Sequence, residues 1–406
     1  MGMKWEGKGF MESLPKIYAI YTGGFLAFFA LMAFFESLGM GAKWIGILFV
    51  LFTLVVYAFI GVLSRTTAVD AYYVAGRSVP PVFNGMATAA DWMSGASFVA
   101  MAGGIFMSGH PYMAFIVGWT GGYILIATLM APYLRKFGCY TVPDFIGTRY
   151  GGKLTRFCAI VVLVVASFTY VTAQITATGT IAARAFQIPF EVGVWLGLFG
   201  ILVCSMLGGM RAVTWTQVAQ YIVLIVAYLI PIFWMSIAQG FGWLPHLSYG
   251  SAVQRIMELE PIIGVGTAPT DTVAGLKALT TLHATPPEGA LAAWKFVTLV
   301  FCMMVGTASL PHILMRYFTT PSVRDARNSV AWSLFFIFLL YFSAPALATF
   351  SKLQMIDPNL ATSIIGASID QVMSLEWIQK WSEIGLLAIK DSNADGVFTF
   401  LAIPGA

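Results

Sequence analysis

The sequence predicts an all-α polytopic membrane protein. Hydrophobic residues make up 59% of the 406 residues and charged residues only 10%, whereas soluble domains carry about 25% charged residues. The apolar residues fall into about nine runs, and a run of about 20 residues is long enough to cross a bilayer as a helix. The runs cover residues 17–36, 43–63, 83–107, 112–132, 155–182, 189–208, 214–238, 293–311 and 329–350.

The basic residues indicate how the chain is oriented in the membrane. Loops on the cytoplasmic side of membrane proteins carry an excess of Lys and Arg. If the N-terminus is cytoplasmic, most of the 22 Lys and Arg residues fall in cytoplasmic loops, and segments 239–292 and 351–406 become large external loops. We therefore expect a multi-pass protein of the cytoplasmic (inner) membrane. In the second loop, the amphipathic spacing from Asp370 to Ile389 predicts a helix that covers the external mouth or lies on the surface.

Several functional classes receive no support from the sequence. The net charge of +4 is explained by the asymmetry of the loops, so no nucleic-acid partner is expected. No His, Cys, Asp or Glu cluster has metal-ligand spacing, and the sequence contains neither a nucleophile elbow nor a phosphate-binding loop. The sequence therefore predicts a protein that is not an enzyme and carries no cofactor. The cysteines lack disulfide-framework spacing and are Cys139, Cys158, Cys204 and Cys302.

Asp91 is the acidic residue that lies furthest from any predicted water boundary. It sits in a stretch of small residues that continues through Ser94 and Ser97. An ionisable group at bilayer depth costs several kcal/mol unless it is paired or faces a wet cavity. Small residues also allow a helix to unwind and leave backbone carbonyls free to bind a cation. Asp91 is therefore a candidate functional residue; the alternative is a carboxylate that fixes helix packing through hydrogen bonds.

Two of the apolar runs are interrupted by small and polar residues. The interruptions are Met93–Ser97 in the third run and Gly306–Pro311 in the eighth. These runs are five spans apart and cross the membrane in opposite directions, which is typical of transporters built from a five-helix unit repeated upside down. In such proteins the paired broken helices mark the substrate and ion site near the midplane. The alternative is that the small residues only permit close packing, as Gly118 and Gly122 could do.

Five sequence motifs stand out between residues 65 and 350. They are 70–77 (DAYYVAGR), 90–98 (ADWMSGASF), 140–145 (YTVPDF), 208–217 (GGMRAVTWTQ) and 306–316 (GTASLPHILMR). These motifs resemble those of the sodium/solute symporter family. The last of them is particularly similar to the acetate permease branch, whose members carry acetate and related short monocarboxylates together with a cation.

The resemblance implies a five-plus-five inverted-repeat transporter fold and a division of the chain. Two extra transmembrane helices precede the core in residues 1–66, and core helices one to five occupy 67–238. An external loop follows at 239–292, core helices six and seven at 293–350, and an external C-terminal segment at 351–406. The implied function is symport, across the cytoplasmic membrane, of a small organic anion such as acetate with a cation, which is sodium or alternatively a proton.

The resemblance also implies a cation site at the unwound part of core helix one. Backbone carbonyls at the positions of Ala89 and Trp92 bind sodium in the family, although Met93 competes because this branch carries one additional residue in the turn. Asp91 matches a polar position near that cation. Many relatives have an acid where this chain has Gln217, so a sodium route that relies on that acid is not expected here.

The solute site follows from the chemistry of a carboxylate. A small carboxylate needs two or three hydrogen-bond donors and no fixed negative charge beside it. The alternative for each candidate donor is a hydrogen bond between helices. His312 and Arg316 lie at a cytoplasmic helix end, where we expect helix capping and gating. The candidate solute-binding residues are Ser94, Ser97, Gln174, Thr178 and Thr307.

The chain departs from the family pattern after the ninth run, where the family continues with three further core helices. Core helix eight is expected to supply the hydroxyl groups that complete the sodium site, and hard cations need several oxygen ligands. We therefore expect an incomplete fold that cannot perform coupled transport on its own. The alternatives to a working symporter are an inactive truncated symporter and a transporter-like solute sensor domain.

The C-terminal segment contains part of a calcium-loop pattern. Asp391, Asn393 and Asp395 match the first, third and fifth positions of such a loop, but Ala402 stands where the twelfth position requires Glu. The segment fits a weak external calcium site or, alternatively, a turn rich in Asp and Asn.

Overall fold

The computed structural model describes residues 8–261, 277–278, 283–286, 289–360, 363–364, 367–383 and 401–402. The first ten helices are α1 (Lys8–Ser37), α2 (Ala42–Leu63), α3 (Val69–Val74), α4 (Pro81–Trp92), α5 (Met101–Ser108), α6 (Met113–Leu125), α7 (Ala131–Phe137), α8 (Val142–Tyr150), α9 (Lys153–Phe186) and α10 (Phe190–Ala238). The others are α11 (Pro245–Leu259), α12 (Ala290–Ala308), α13 (Pro311–Leu314), α14 (Val323–Ile356), α15 (Ile369–Met373) and α16 (Glu376–Glu383).

The predicted all-α class is confirmed. Two-residue strands, β1 (Lys277–Ala278) and β2 (Leu401–Ala402), form one antiparallel pair. Short 3-10 or π turns extend several helices, at Ala75–Arg77, Ala96–Ala100, His110–Tyr112, Ile126–Met130 and Met315–Thr319.

Seven helices in the described part of the chain are long and apolar enough to cross a membrane. They are Leu14–Ser37, Lys43–Leu63, His110–Phe137, Lys153–Phe186, Ser205–Ala238, Ala290–Ala308 and Val323–Ile356. The predicted run 83–107 is divided between α4 and α5, each of which is too short to span alone. The predicted runs 189–208 and 214–238 both lie in α10, on either side of a kink at Gly209.

Gly209 places a kink inside α10. Its φ of 52° and ψ of −141° lie outside the helical region, in a conformation that only glycine adopts readily. A Cβ atom at this position would also collide with the backbone oxygen of Tyr72. The kink therefore depends on glycine both for its backbone angles and for the close approach of another segment.

The chain groups into two compact units. The first unit contains Met1–Trp92, Met130–Ile225 and Pro311–Ser333, and the second contains Met93–Leu129, Val226–Leu310 and Leu334–Ala406. The chain passes between the units at Trp92–Met93 and at Leu310–Pro311, within the two segments where small residues predict helix breaks. Both breaks are present, because α4 ends at Trp92 and α12 ends at Ala308, with two residues between it and the start of α13.

Within the first unit, α1 packs on α4 and α10. Leu14, Ala87, Trp215 and Val218 form a buried apolar cluster. The hydroxyl group of Tyr18 donates a hydrogen bond of 3.0 Å to the backbone oxygen of Trp215. This contact fixes α1 beside the segment of α10 that carries residues of the candidate site.

Within the second unit, two glycines of α6 allow close packing against α12. A Cβ atom on Gly118 would lie 2.5 Å from Cβ of Met303, and one on Gly122 would lie 2.5 Å from Cβ of Thr307. Glycines four residues apart lie on one helix face and allow two backbones to approach closely. Gly118 and Gly122 therefore permit close packing between α6 and α12.

The amphipathic segment predicted from Asp370 begins as two short helices, α15 and α16, instead of one. Ser368 caps α15 by accepting a hydrogen bond from the backbone N–H of Gln371, whose side chain bonds back to Ser368. Ile364, Val372 and Ile378 form a small buried cluster. The three calcium-loop residues, Asp391, Asn393 and Asp395, lie outside the described residues, so the calcium site remains a prediction.

Candidate cation and solute site

Asp91 lies in the last turn of α4, next to the helix break. Its side chain is 12% exposed. The helix ends at Trp92, and the carbonyl groups in the last turn of a helix point beyond its end. The hydroxyl group of Tyr170 donates to the Asp91 carbonyl over 3.3 Å. The break therefore places a carboxylate and a set of backbone oxygens at one helix end.

Arg316 forms a two-point ion pair with Asp91. Its Nε lies 2.6 Å from Oδ2 of Asp91, and its Nη2 lies 3.1 Å from Oδ1. The arginine side chain is only 2% exposed. Two parallel N–H···O bonds between a guanidinium and a carboxylate are a strong and directional form of ion pair. The charge of Asp91 is therefore neutralised by Arg316 in this conformation.

The position of Arg316 is fixed by neighbours within the first unit. Its Nη1 donates to the hydroxyl oxygen of Thr214 over 2.8 Å. Its backbone carbonyl accepts hydrogen bonds from Nδ2 of Asn84 at 3.2 Å and from Oγ1 of Thr319 at 2.7 Å. Asn84 and Thr319 also bind each other over 3.0 Å. The segment that carries Arg316 is thus attached to α4 through side chains that are themselves buried.

Gln217 is the second partner of the carboxylate. Its Nε2 donates to Oδ1 of Asp91. Its Oε1 is buried and has no hydrogen-bond partner among the described residues. A buried polar atom without a partner is uncommon in native proteins and requires an explanation. Here the unpartnered acceptor belongs to a side chain that contacts the Asp91 carboxylate, a position from which it could bind a cation.

Sequence reasoning missed the Asp91–Arg316 pair. It expected capping and gating by Arg316 at a cytoplasmic helix end. The capping role is wrong, because the guanidinium is buried and binds a carboxylate, and the gating role remains a prediction. His312, the companion residue, stacks on the ring of Tyr170 with centroids 4.4 Å apart. A signal was available, since an arginine so close to a predicted helix break could reach a buried acid. The two residues are separated by 225 positions, so the sequence alone could not identify Asp91 as the partner of Arg316.

The four predicted cation-binding residues adjoin the break. Ala89, Asp91 and Trp92 belong to the end of α4, and Met93 follows it. Ala89, Trp92 and Met93 are buried, with exposures of 0%, 6% and 6%. Their assignment as cation ligands remains a prediction.

The predicted solute-binding residues lie in both units. In the first unit, Thr178 donates to the backbone oxygen of Gln174 over 2.8 Å within α9. In the second unit, the hydroxyl oxygen of Ser97 accepts a bond of 3.2 Å from the backbone N–H of Ser94. Thr307 is 3% exposed and packs against Gly122. Their role in solute binding remains a prediction, and for Thr307 a packing role is established in addition.

These features define a class of protein. Several long apolar helices, two helix breaks and a buried charged cluster beside one of them are the architecture of polytopic membrane transporters. The sequence pattern of the sodium:solute symporter family matches residues 72–375. The chain therefore belongs to the sodium:solute symporter family, and the predicted family is confirmed.

Two relatives and one solved structure illustrate the similarity. An uncharacterized symporter of Cupriavidus necator is 37% identical over 481 residues, which cover 97% of this chain and 69% of that protein. A monocarboxylic acid transporter of Corynebacterium glutamicum is 26% identical over 329 residues, which cover 79% of this chain and 57% of that protein.

The solved structure is a substrate-bound, outward-open Na⁺-coupled sialic acid symporter. It superposes with a TM-score of 0.57 at 15% sequence identity, covering 77% of this chain and 61% of that one. At this identity the similarity concerns the fold. The chain spans between about three fifths and two thirds of the length of these proteins.

Proposed function

We propose that this chain provides the ion- and solute-binding core of a symporter that couples sodium to the uptake of a small monocarboxylate such as acetate. The observation that carries the proposal is the broken helix at Trp92–Met93 beside the buried carboxylate of Asp91. Membership of the sodium:solute symporter family supports sodium as the coupling ion. In the same proposal the protein lies in the cytoplasmic membrane with a cytoplasmic N-terminus.

The proposed cation site consists of oxygen atoms around the end of α4. Hard cations prefer several oxygen ligands, and the C-terminal end of a helix carries partial negative charge. The Asp91 carboxylate, the carbonyls of Ala89 and Trp92, and the unpartnered Oε1 of Gln217 are of the required chemical type. Met93 is the alternative carbonyl donor, because it follows directly on the end of the helix.

The proposed solute site uses neutral donors. Ser94, Ser97 and Thr307 carry hydroxyl groups in the second unit, and Gln174 and Thr178 carry an amide and a hydroxyl in the first. Neutral donors can bind a carboxylate without placing a fixed negative charge beside it. The name of the Corynebacterium glutamicum relative, a monocarboxylic acid transporter, supports the same class of solute.

Binding of labelled solutes to the purified protein tests the proposal. Acetate, propionate, pyruvate and glycolate would each be titrated in sodium chloride and in choline chloride at several pH values. We expect at least one of them to bind more tightly in sodium. Equal binding in both salts and at every pH would contradict cation coupling, and the absence of binding by all four solutes would contradict the solute class.

A further inference from the structure

The Asp91–Arg316 pair raises a specific question, because Asp91 is also the proposed cation ligand. Both carboxylate oxygens are in use. Oδ2 accepts from Nε of Arg316 at 2.6 Å, and Oδ1 accepts from Nη2 at 3.1 Å and from the amide of Gln217. A cation that bound at Asp91 would have to compete with the guanidinium for the single negative charge of the carboxylate.

A buried carboxylate needs a counter-ion in every conformation that the protein visits. Removing one partner of a buried ion pair is strongly destabilising, because the other charge is left uncompensated. If a cation bound at Asp91 departed into solution, the negative charge of Asp91 would remain uncompensated at a depth where ionisable groups are costly. Arg316 satisfies this requirement from within the chain.

The surroundings of Arg316 suit a side chain that exchanges places with an ion. Its backbone is held by Asn84 and Thr319, while its guanidinium is attached through side-chain contacts to Asp91 and Thr214. It lies in a 3-10 turn, Met315–Thr319, directly after the short helix α13, and the hydrogen bonds from Asn84 and Thr319 hold the backbone of this turn. The backbone can therefore stay in place while the long side chain moves.

Gln217 supplies an oxygen atom that a cation at Asp91 could bind. An acid at this position would add a second negative charge beside Asp91, which the single guanidinium would have to balance. The neutral amide instead donates to Asp91 and keeps a buried oxygen without a partner. That oxygen is available to an incoming cation.

We infer that Arg316 is a tethered cation that competes with the coupling ion for the carboxylate of Asp91, and that it neutralises Asp91 whenever the ion is absent. This inference rests on the proposed function, because it requires a cation to bind at Asp91. The inference adds to the proposed function that the ion binds at Asp91 in the same step in which Arg316 releases the carboxylate. The apparent affinity for sodium is therefore lower than the oxygen ligands alone would give.

Sodium titrations of purified variants test the competition. Sodium chloride would replace choline chloride at constant ionic strength and constant pH, and binding would be followed by tryptophan fluorescence and by thermal stability. Because hydrogen bonds to charged groups contribute about 1.5–3 kcal/mol, we expect Arg316→Gln to bind sodium about ten- to a hundredfold more tightly. Arg316→Lys, which keeps the charge but loses the two-point geometry, should fall between the parent and Arg316→Gln.

Arg135→Gln is the matched control. Arg135 donates to the backbone oxygens of Thr320 and Pro321, both at 2.6 Å, so the variant removes the same charge from the same unit without affecting Asp91. It should leave the sodium affinity unchanged. Equal tightening in Arg135→Gln and Arg316→Gln would show a general effect of charge and would overturn the inference.

The remaining outcomes separate this inference from the proposed function. If Asp91→Asn loses sodium binding while Arg316→Gln binds with the parent's affinity or more weakly, the cation site stands and the competition is refuted. If Asp91→Asn binds sodium as the parent does, the cation site itself is wrong. Should Arg316→Gln fail to fold, an unchanged affinity in the folded Arg316→Lys variant would equally refute the competition.

Discussion

Lys352 and Glu260 form a buried ion pair in the second unit, with Nζ of the lysine 2.6 Å from Oε1 of the glutamate. The two side chains are 3% and 0% exposed. Both carboxylate oxygens of Glu260 also accept, at 3.0 Å, from the backbone N–H of His283. This pair therefore joins α14, the residue that follows α11 and a short segment of the loop between α11 and α12.

Removal of the lysine from this pair should destabilise the protein. Because Lys352→Met leaves Glu260 buried and uncompensated, we expect the free energy of unfolding to fall by about 3–5 kcal/mol. The double variant Glu260→Gln with Lys352→Met should recover part of the loss. Thermal unfolding in detergent would measure both, with Lys153→Met at an exposed position as control. A Lys352→Met protein as stable as the control would contradict this account.

A second ion pair predicts a dependence on pH. Arg255 contacts Asp357 through two bonds, of 2.9 and 3.2 Å. The hydrogen bonds from Arg255 lower the pKa of the Asp357 carboxyl group below its ordinary value of 3.8. A carboxyl group with a lowered pKa in the folded state stabilises the protein above its unfolded pKa, and this stabilisation is lost as the pH falls through the folded pKa.

Asp357→Asn should consequently destabilise the protein near neutral pH, by about 1 kcal/mol or less because the arginine is partly exposed. The difference between the parent and the variant should shrink as the pH falls below about 4. Unfolding temperatures recorded from pH 7 down to pH 3 would test this. A difference that stayed constant or grew in acid would show that the pair acts in some other way.

The contact between α6 and α12 predicts opposite effects at two glycines. Gly122→Ala would place a methyl group against Cβ of Thr307, and overpacking of this kind costs about 1–3 kcal/mol. Gly103 in α5 has open space at the same atom, so Gly103→Ala should be neutral or stabilise the helix by up to about 1 kcal/mol. Parallel unfolding measurements would compare them. Equal effects would mean that the two helices do not approach closely.

Thr307 can be tested for solute binding separately from packing. Thr307→Val keeps the shape that fits against Gly122 but removes the hydroxyl group, so solute binding should weaken about ten- to a hundredfold, as expected for the loss of a hydrogen bond to a charged group. Thr307→Ser keeps the hydroxyl group and should bind solute while losing some stability. Equilibrium binding of labelled acetate would distinguish them, and normal binding by Thr307→Val would exclude the hydroxyl group as a ligand.

The sequence was informative about the backbone and less so about side-chain partners. The small residues around Ser94 and the Gly306–Pro311 segment predicted both helix breaks, because local conformational preference determines where a helix ends. The partner of Asp91 depends on tertiary packing, and the position of Arg316 just after a predicted helix break did not by itself identify that partner. Gln217 was recognised only as a departure from the family pattern, and its contact with Asp91 became evident from the structure.

The number of spanning helices also shows that hydropathy alone does not determine the fold. Hydropathy separated the runs 189–208 and 214–238, and the kink at Gly209 lies between them, but hydropathy does not reveal that the run 83–107 is divided between α4 and α5. Nor does it reveal that Glu260, expected in an external loop, is completely buried against Lys352. Charges in loops are usually solvated, so only the fold could identify this pair.

The central claim is that Asp91 binds the coupling cation, and the sodium dependence of solute binding in Asp91→Asn tests it most directly. Asp144→Asn is the matched control, because Asp144 pairs with Arg156 near the surface of the same unit. We predict that the sodium concentration for half-maximal acetate binding rises about tenfold or more in Asp91→Asn, as the loss of a charged ligand implies, and is unchanged in Asp144→Asn. An unaltered sodium dependence in Asp91→Asn would contradict the account.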